Sequence, residues 1–342
     1  MTKITFLDVG EKYNYFINNN NNLTQFTPFI TPKDLDKNNL KKNSNKSIES
    51  LYSHLVNSLI YQSEINAFPS TLPDEINIKF TNLNILEKLN PFNKKSVAQT
   101  DLSNNTIYFS TEFLTQPKDK FLKEFSDKFN DSQSLIDAVF YHEFAHIISH
   151  YHFPQINNIY NQINDKISQK EKNYSSLYQV IRNVEENFSD AYAALLHKEK
   201  HNNFDAYYYI ASRNSTNHGK TKGFDFNINS LGQSFHKIND INLTSKPIDE
   251  ICKQLYIISI NSSLEVLEQT IKENDKFKQD LKNNLILLNK NKQINESIEE
   301  LLTEYIENVF QIPSKSMIKN RMMSLRQNFM TSNNKSNKPK LL

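Results

Sequence analysis

The sequence predicts an α+β fold: a small sheet, then two helices that carry the polar chemistry, then a mainly helical C-terminal part. Three observations carry this expectation. EINIKF at 75 to 80 and TIYFS at 106 to 110 alternate apolar and polar residues with period two, the mark of half-buried strands. SLIDAVFYHEFAHIISHY, from Ser134, and SSLYQVIRNVEENFSDAYAALLHK, Ser175 to Lys198, place apolar residues at helical spacing. A long helical third follows from Ile248 to about Gln311.

Taken in chain order, the first 47 residues are polar and include five consecutive Asn at 18 to 22. With little to bury, residues 1–47 are expected to form a poorly ordered or loosely docked arm. IESLYSHLVNSLIYQSE, from Ile48, puts Leu51, Leu55, Leu59 and Ile60 at helical spacing and reads as the first packed helix. The strands follow, with a turn at SNN before the second. Beyond Asn202 lies an irregular region holding three of the four glycines. The expected division is an arm over 1–47, a globular domain over 48–245, a helical region over 246–330 packed on it, and a disordered tail over 331–342.

Composition narrows the function. Lys plus Arg total 40 against 38 Asp plus Glu, so there is no basic field of the kind that binds nucleic acid. No segment approaches the roughly 18 apolar residues of a membrane span. MTKITFLDVGEKYNYF lacks the charged start, apolar run and cleavage site of a secretory signal. A soluble cytoplasmic chain is therefore expected, with signal-less export into another cell as the alternative. The excess of Asn, Lys and Ile reads as an AT-rich bacterial coding bias. One cysteine, Cys252, excludes an intramolecular disulfide and a Cys-rich zinc cluster, so a zinc site must use His and carboxylate.

YHEFAHIISHYHFP, 141 to 154, holds four of the nine histidines. HEFAH matches H-E-x-x-H on a helix, where His142 and His146 share one face and can reach one Zn²⁺. Glu143, between them, sits beside the metal as a general base. The uncharged flanks Val139, Phe140, Tyr141, Phe144, Ala145, Ile147 and Ile148 suit a buried helix behind such a site.

A hydrolytic zinc site takes three protein ligands and leaves one position open. Two residues compete to be the third. His152 has the spacing of the metzincin pattern H-E-x-x-H-x-x-G-x-x-H, but Ser149 stands where that pattern has its turning Gly. On the next helix, VEENFSDAYAALL places Glu186 and Asp190 at i and i+4, so one face offers a ligand and a carboxylate to orient a ligating histidine. Glu185 points about 100° away from Glu186 and has no Asp at i+4.

This pairing of HExxH with ExxxD on a following helix resembles the gluzincin clan of zinc metallopeptidases, which includes the thermolysin-like enzymes. The resemblance covers residues 135 to 198. It implies a zincin-like core in which His142, His146 and Glu186 bind one zinc ion, Asp190 supports a ligand, and Glu143 is the general base for a zinc-activated water. It further implies a strand beside the HExxH helix, Ile107 to Ser110, that runs along the cleft, and peptide or protein substrates cut as by an endopeptidase. Gluzincins often use a His or Tyr after the Glu helix to stabilise the oxyanion. Of His201, His218, His236 and Tyr207 to Tyr209, His218 is preferred because a glycine follows it in a loop. The alternatives are a metzincin-like protease with His152 as third ligand and an inactive zincin acting as a binding or regulatory module. A bacterial effector or toxin-like role would suit a signal-less protease.

Overall fold

Strand β1 (Thr2–Phe6) lies inside a six-stranded sheet. The others are β2 (Asn14–Ile17), β3 (Leu23–Gln25), β4 (Glu75–Thr81), β5 (Ala98–Asp101) and β6 (Thr106–Ser110), in the order β3-β2-β1-β4-β6-β5. Four helices follow the same chain numbering: α1 (Asn45–Glu64), α2 (Ser132–His152), α3 (Ser175–His201) and α4 (Ile248–Glu273). The computed structural model describes residues 1–7, 14–18, 23–25, 45–81, 97–111, 129, 131–154, 175–202 and 237–280. The fold is α+β, and no helix among these residues is long and apolar enough to cross a membrane.

The sheet is mixed. β1, β4 and β6 run parallel, while β2, β3 and β5 are antiparallel to their neighbours. Register lines up the apolar residues in rows: Ile4 faces Ile76, Phe6 faces Ile78, Ile78 faces Ile107, and Phe80 faces Phe109. Side chains alternate across a strand, so these rows make one buried face. Lys3, Thr5, Asn77, Lys79 and Tyr108 are partly exposed on the other.

Helices α1 and α2 cover the buried face. Phe6 meets Tyr52 of α1 edge-on at 4.9 Å, and Phe109 meets Phe140 of α2 at 6.4 Å. The Asp131 side chain caps α2 by accepting from the Ser134 N–H at 2.7 Å, satisfying an orphan donor of the first turn. α2 is buried around almost its whole circumference between Ser134 and Ser149, including the charged Asp137. Such a helix needs its polar groups answered by neighbours. Asp137 receives Ser58 of α1 at 2.5 Å and pairs with Lys200 at 2.8 Å and His201 at 2.5 Å, both of α3. Further along α3, Phe188 packs on Phe153 at 5.5 Å and on Tyr256 of α4 at 5.3 Å. Asn187 Nδ2 donates to Ser263 Oγ at 2.8 Å.

Two expectations are corrected. The polar arm over 1–47 does not hold at β1, β2 and β3, because Ile4, Phe6, Tyr15 and Ile17 give short period-two segments that the surrounding asparagines mask in any long average. Ile107 to Ser110 is not a strand with a free edge along a cleft, because it lies in β6 between β4 and β5; among the described residues the sheet ends at β3 and β5. The chain divides into two compact units, the first being Met1–Pro154, Asn183–Lys220 and Asn227–Ser263, the second Gln155–Arg182, Thr221–Phe226 and Leu264–Leu342. α4 up to Ser263 belongs to the first unit, where Ile251, Leu255 and Tyr256 are buried. Of the helical third expected from Ile248 to about Gln311, residues 281–311 lie outside the described residues, as does the tail over 331–342.

Candidate metal centre

Helical periodicity brings His142 and His146 onto one face of α2, with ring centroids 4.9 Å apart and planes nearly perpendicular. Across from them α3 offers Glu186 and Asp190 at the same spacing, and Glu185 and Ser189 beside them. All lie within the first unit.

Each imidazole uses its two nitrogens differently. His142 Nδ1 lies 2.8 Å from Asp190 Oδ1, which assigns that nitrogen the proton and leaves a lone pair on Nε2. His146 Nδ1 faces Ser189 Oγ at 3.2 Å and Glu185 Oε1 at 3.5 Å, which makes the same assignment. The two Nε2 atoms are 3.2 Å apart, and Glu186 Oε2 lies 3.5 Å from one and 3.8 Å from the other. Three electron-pair donors thus converge on one point. Tetrahedral donors about 2.0–2.1 Å from a zinc ion are about 3.3 Å apart, so the spacing of these three atoms fits the group. His142, His146 and Glu186 form the one cluster of this kind among the described residues.

The electrostatics lean the same way. Burial opposes charge on His142, but hydrogen bonds to Asp190 and Glu186 outweigh it and hold the pKa well above the ordinary histidine value. At His146 burial is likewise outweighed, by Glu185 and Glu186, and the pKa is raised. A point that favours an added proton favours a cation for the same reason. The side chains of His142, His146 and Glu186 are 10 to 15 % exposed, so the cluster is largely but not wholly shielded from solvent.

Glu143, next to His142 in α2, is buried at 9 % exposure and held from β5. Thr100 Oγ1 lies 2.7 Å from Glu143 Oε2 and 2.8 Å from the Glu143 carbonyl oxygen. The hairpin behind this contact is fixed by Asp101, which accepts from Ser103 N, Ser103 Oγ and Asn104 Nδ2, and by Asn105, whose positive φ of 51° asparagine tolerates.

The histidines of the opening cluster separate. α2 continues unbroken through Ser149 to His152, so the chain makes no turn that would bring His152 back to His146. His152 Nδ1 instead meets Thr71 Oγ1 at 2.5 Å, with Asp249 at 3.9 Å. His201 is committed to Asp137. His218, His236 and Tyr207 to Tyr209 lie outside the described residues. Sequence reasoning missed two residues. Glu185, which helical geometry turns away from Glu186, lies beside Nδ1 of His146. Thr100, in a strand with no apolar alternation, carried no signal at all.

No family model matches the chain, and no curated protein or solved structure is significantly similar to it.

Proposed function

We propose that the protein is a zinc metallopeptidase of gluzincin type, with His142, His146 and Glu186 as metal ligands and Glu143 as general base. One observation carries the reading: three donor atoms with zinc-like spacing converge beside a glutamate that takes no part in that convergence. Zinc held by these residues would supply Lewis acidity, of the kind that acidifies water and polarises a scissile carbonyl.

The chain's own residues do the rest. Asp190 holds His142 in the tautomer that presents Nε2, and Glu185 with Ser189 does so for His146. Glu143 accepts a proton from the attacking water and returns it to the leaving amine. β5, an end strand of the sheet among the described residues and the one that touches Glu143 through Thr100, is the natural edge for an extended peptide to follow. The proposed cleft strand is therefore 98–101 in place of 107–110. His218 remains the proposed oxyanion donor, on the sequence argument alone.

The test combines metal analysis with cleavage of a broad peptide library. Purified protein is expected to hold one zinc per chain and to cut library peptides. Glu186→Ala should lose the metal. Glu143→Gln should keep it while cleavage falls by at least about 10³-fold, as for loss of a principal catalytic group. Undiminished cleavage by Glu143→Gln would sink the mechanism. Full zinc occupancy with no cleavage by the unaltered chain would favour a binding or regulatory module.

A further inference from the structure

We infer that Thr100 is a positioning residue for Glu143, an inference that rests on the hydrolytic role proposed for that carboxylate. Thr100 is the third of four residues in β5 and stands opposite the fully buried Ile107 of β6. Its one hydroxyl oxygen lies 2.7 Å from Glu143 Oε2 and 2.8 Å from the Glu143 carbonyl oxygen.

A hydroxyl has one proton to give. The Glu143 carbonyl lies in the interior of α2, where the helical N–H four residues on already serves it. The carboxylate oxygen therefore gains more from the proton, since a bond to an ionised acceptor is about twice as strong as a neutral one. Among the described residues, Thr100 supplies the hydrogen bond that fixes this carboxylate. With Oε2 held, Oε1 is the oxygen left to exchange a proton with water.

Two features make the constraint tight. Threonine is β-branched, so the direction of its hydroxyl follows from the strand backbone with little rotamer freedom. The same oxygen touches both the side chain and the backbone of Glu143, so strand, helix turn and carboxylate are located against one another. Anything that displaces β5 displaces the base. A purely structural tie between β5 and α2 would predict lost stability and weakened substrate binding. A positioning role predicts a loss in kcat with KM little changed.

The experiment uses the zinc-loaded full chain, a fluorogenic peptide chosen from the library, and crystal structures of each variant. Thr100→Val keeps the shape and removes the hydroxyl. It should lower kcat by about 10- to 100-fold, the range expected when a reacting group is misplaced by about an ångström, with KM within about twofold. Thr100→Ser should recover kcat to within about threefold, having the same donor. Crystals should show one Glu143 carboxylate orientation in the wild type and in Thr100→Ser, and a displaced or divided one in Thr100→Val. Should the valine variant not fold, Thr100→Ala replaces it. Wild-type kcat with an unmoved Glu143 in Thr100→Val would overturn the inference, as would a serine variant as impaired as the valine. If the unaltered chain cleaves no peptide, the hydrolytic reading fails, and the Glu143 orientation in the crystals still decides whether Thr100 holds it.

Discussion

Each of the two proposed ligand histidines has its own carboxylate, but the two pairs are unequal. Asp190 meets His142 Nδ1 at 2.8 Å, within hydrogen-bond range, whereas Glu185 stands 3.5 Å from His146 Nδ1 and shares it with Ser189 at 3.2 Å. The closer partner should matter more. Asp190→Asn is expected to weaken zinc binding by about 10- to 100-fold, the usual range for groups behind the ligands, and Glu185→Gln by less, because Ser189 remains. Competition against a calibrated chelator measures both, and equal or reversed losses would contradict the geometry. His142, His146, Glu186 and Asp190 were legible because helical spacing turns a sequence interval directly into a shared face. Glu185 was not, because its contact depends on how α3 crosses α2. Thr100 lies 43 residues before Glu143, and nothing local marks that approach.

At the scale of elements, α2 was legible for the same reason, and its start follows from one side chain. Asp131 adopts an extended backbone and accepts from Ser134 N, so Asp131→Ala leaves a first-turn N–H without its partner. The expected cost is about 1 kcal/mol of stability, read as a lower urea midpoint with an unchanged slope. The cap is about three helical turns from His142, so zinc content should not change. A loss of metal equal to the loss of stability would show that the N-terminal turn and the site are not independent. The strands were less legible. EINIKF and TIYFS alternate and were read correctly as β4 and β6, whereas AQTD has one small apolar residue and exists as β5 through its pairing with β6 and the Asp101 turn. β1 was hidden by its polar surroundings, although Ile4 and Phe6 are fully buried. In each case the missing information was a long-range pairing rather than a local preference.

For the first unit as a whole, the feature with the widest reach is the buried carboxylate of Asp137. It joins α1 through Ser58 and α3 through Lys200 and His201, and Gln133 Nε2 adds a bond at 2.9 Å. Burial by itself would raise its pKa, but His201, Lys200 and Ser58 outweigh that effect and hold it below the ordinary aspartate value of 3.8. A carboxyl whose folded-state pKa is depressed stabilises the fold fully above its unfolded value. That contribution disappears as the pH falls through the lower folded-state value. Asp137→Asn should therefore cost most at neutral pH, by about 3 to 5 kcal/mol, because it leaves a buried lysine without its counter-charge. The difference between wild type and variant should shrink as the pH falls below about 3.8, the ordinary aspartate pKa. Urea unfolding at a series of pH values measures this. A difference that stays constant at low pH would mean that Asp137 acts through shape and hydrogen bonding alone, and that its charge contributes nothing to holding the three helices together.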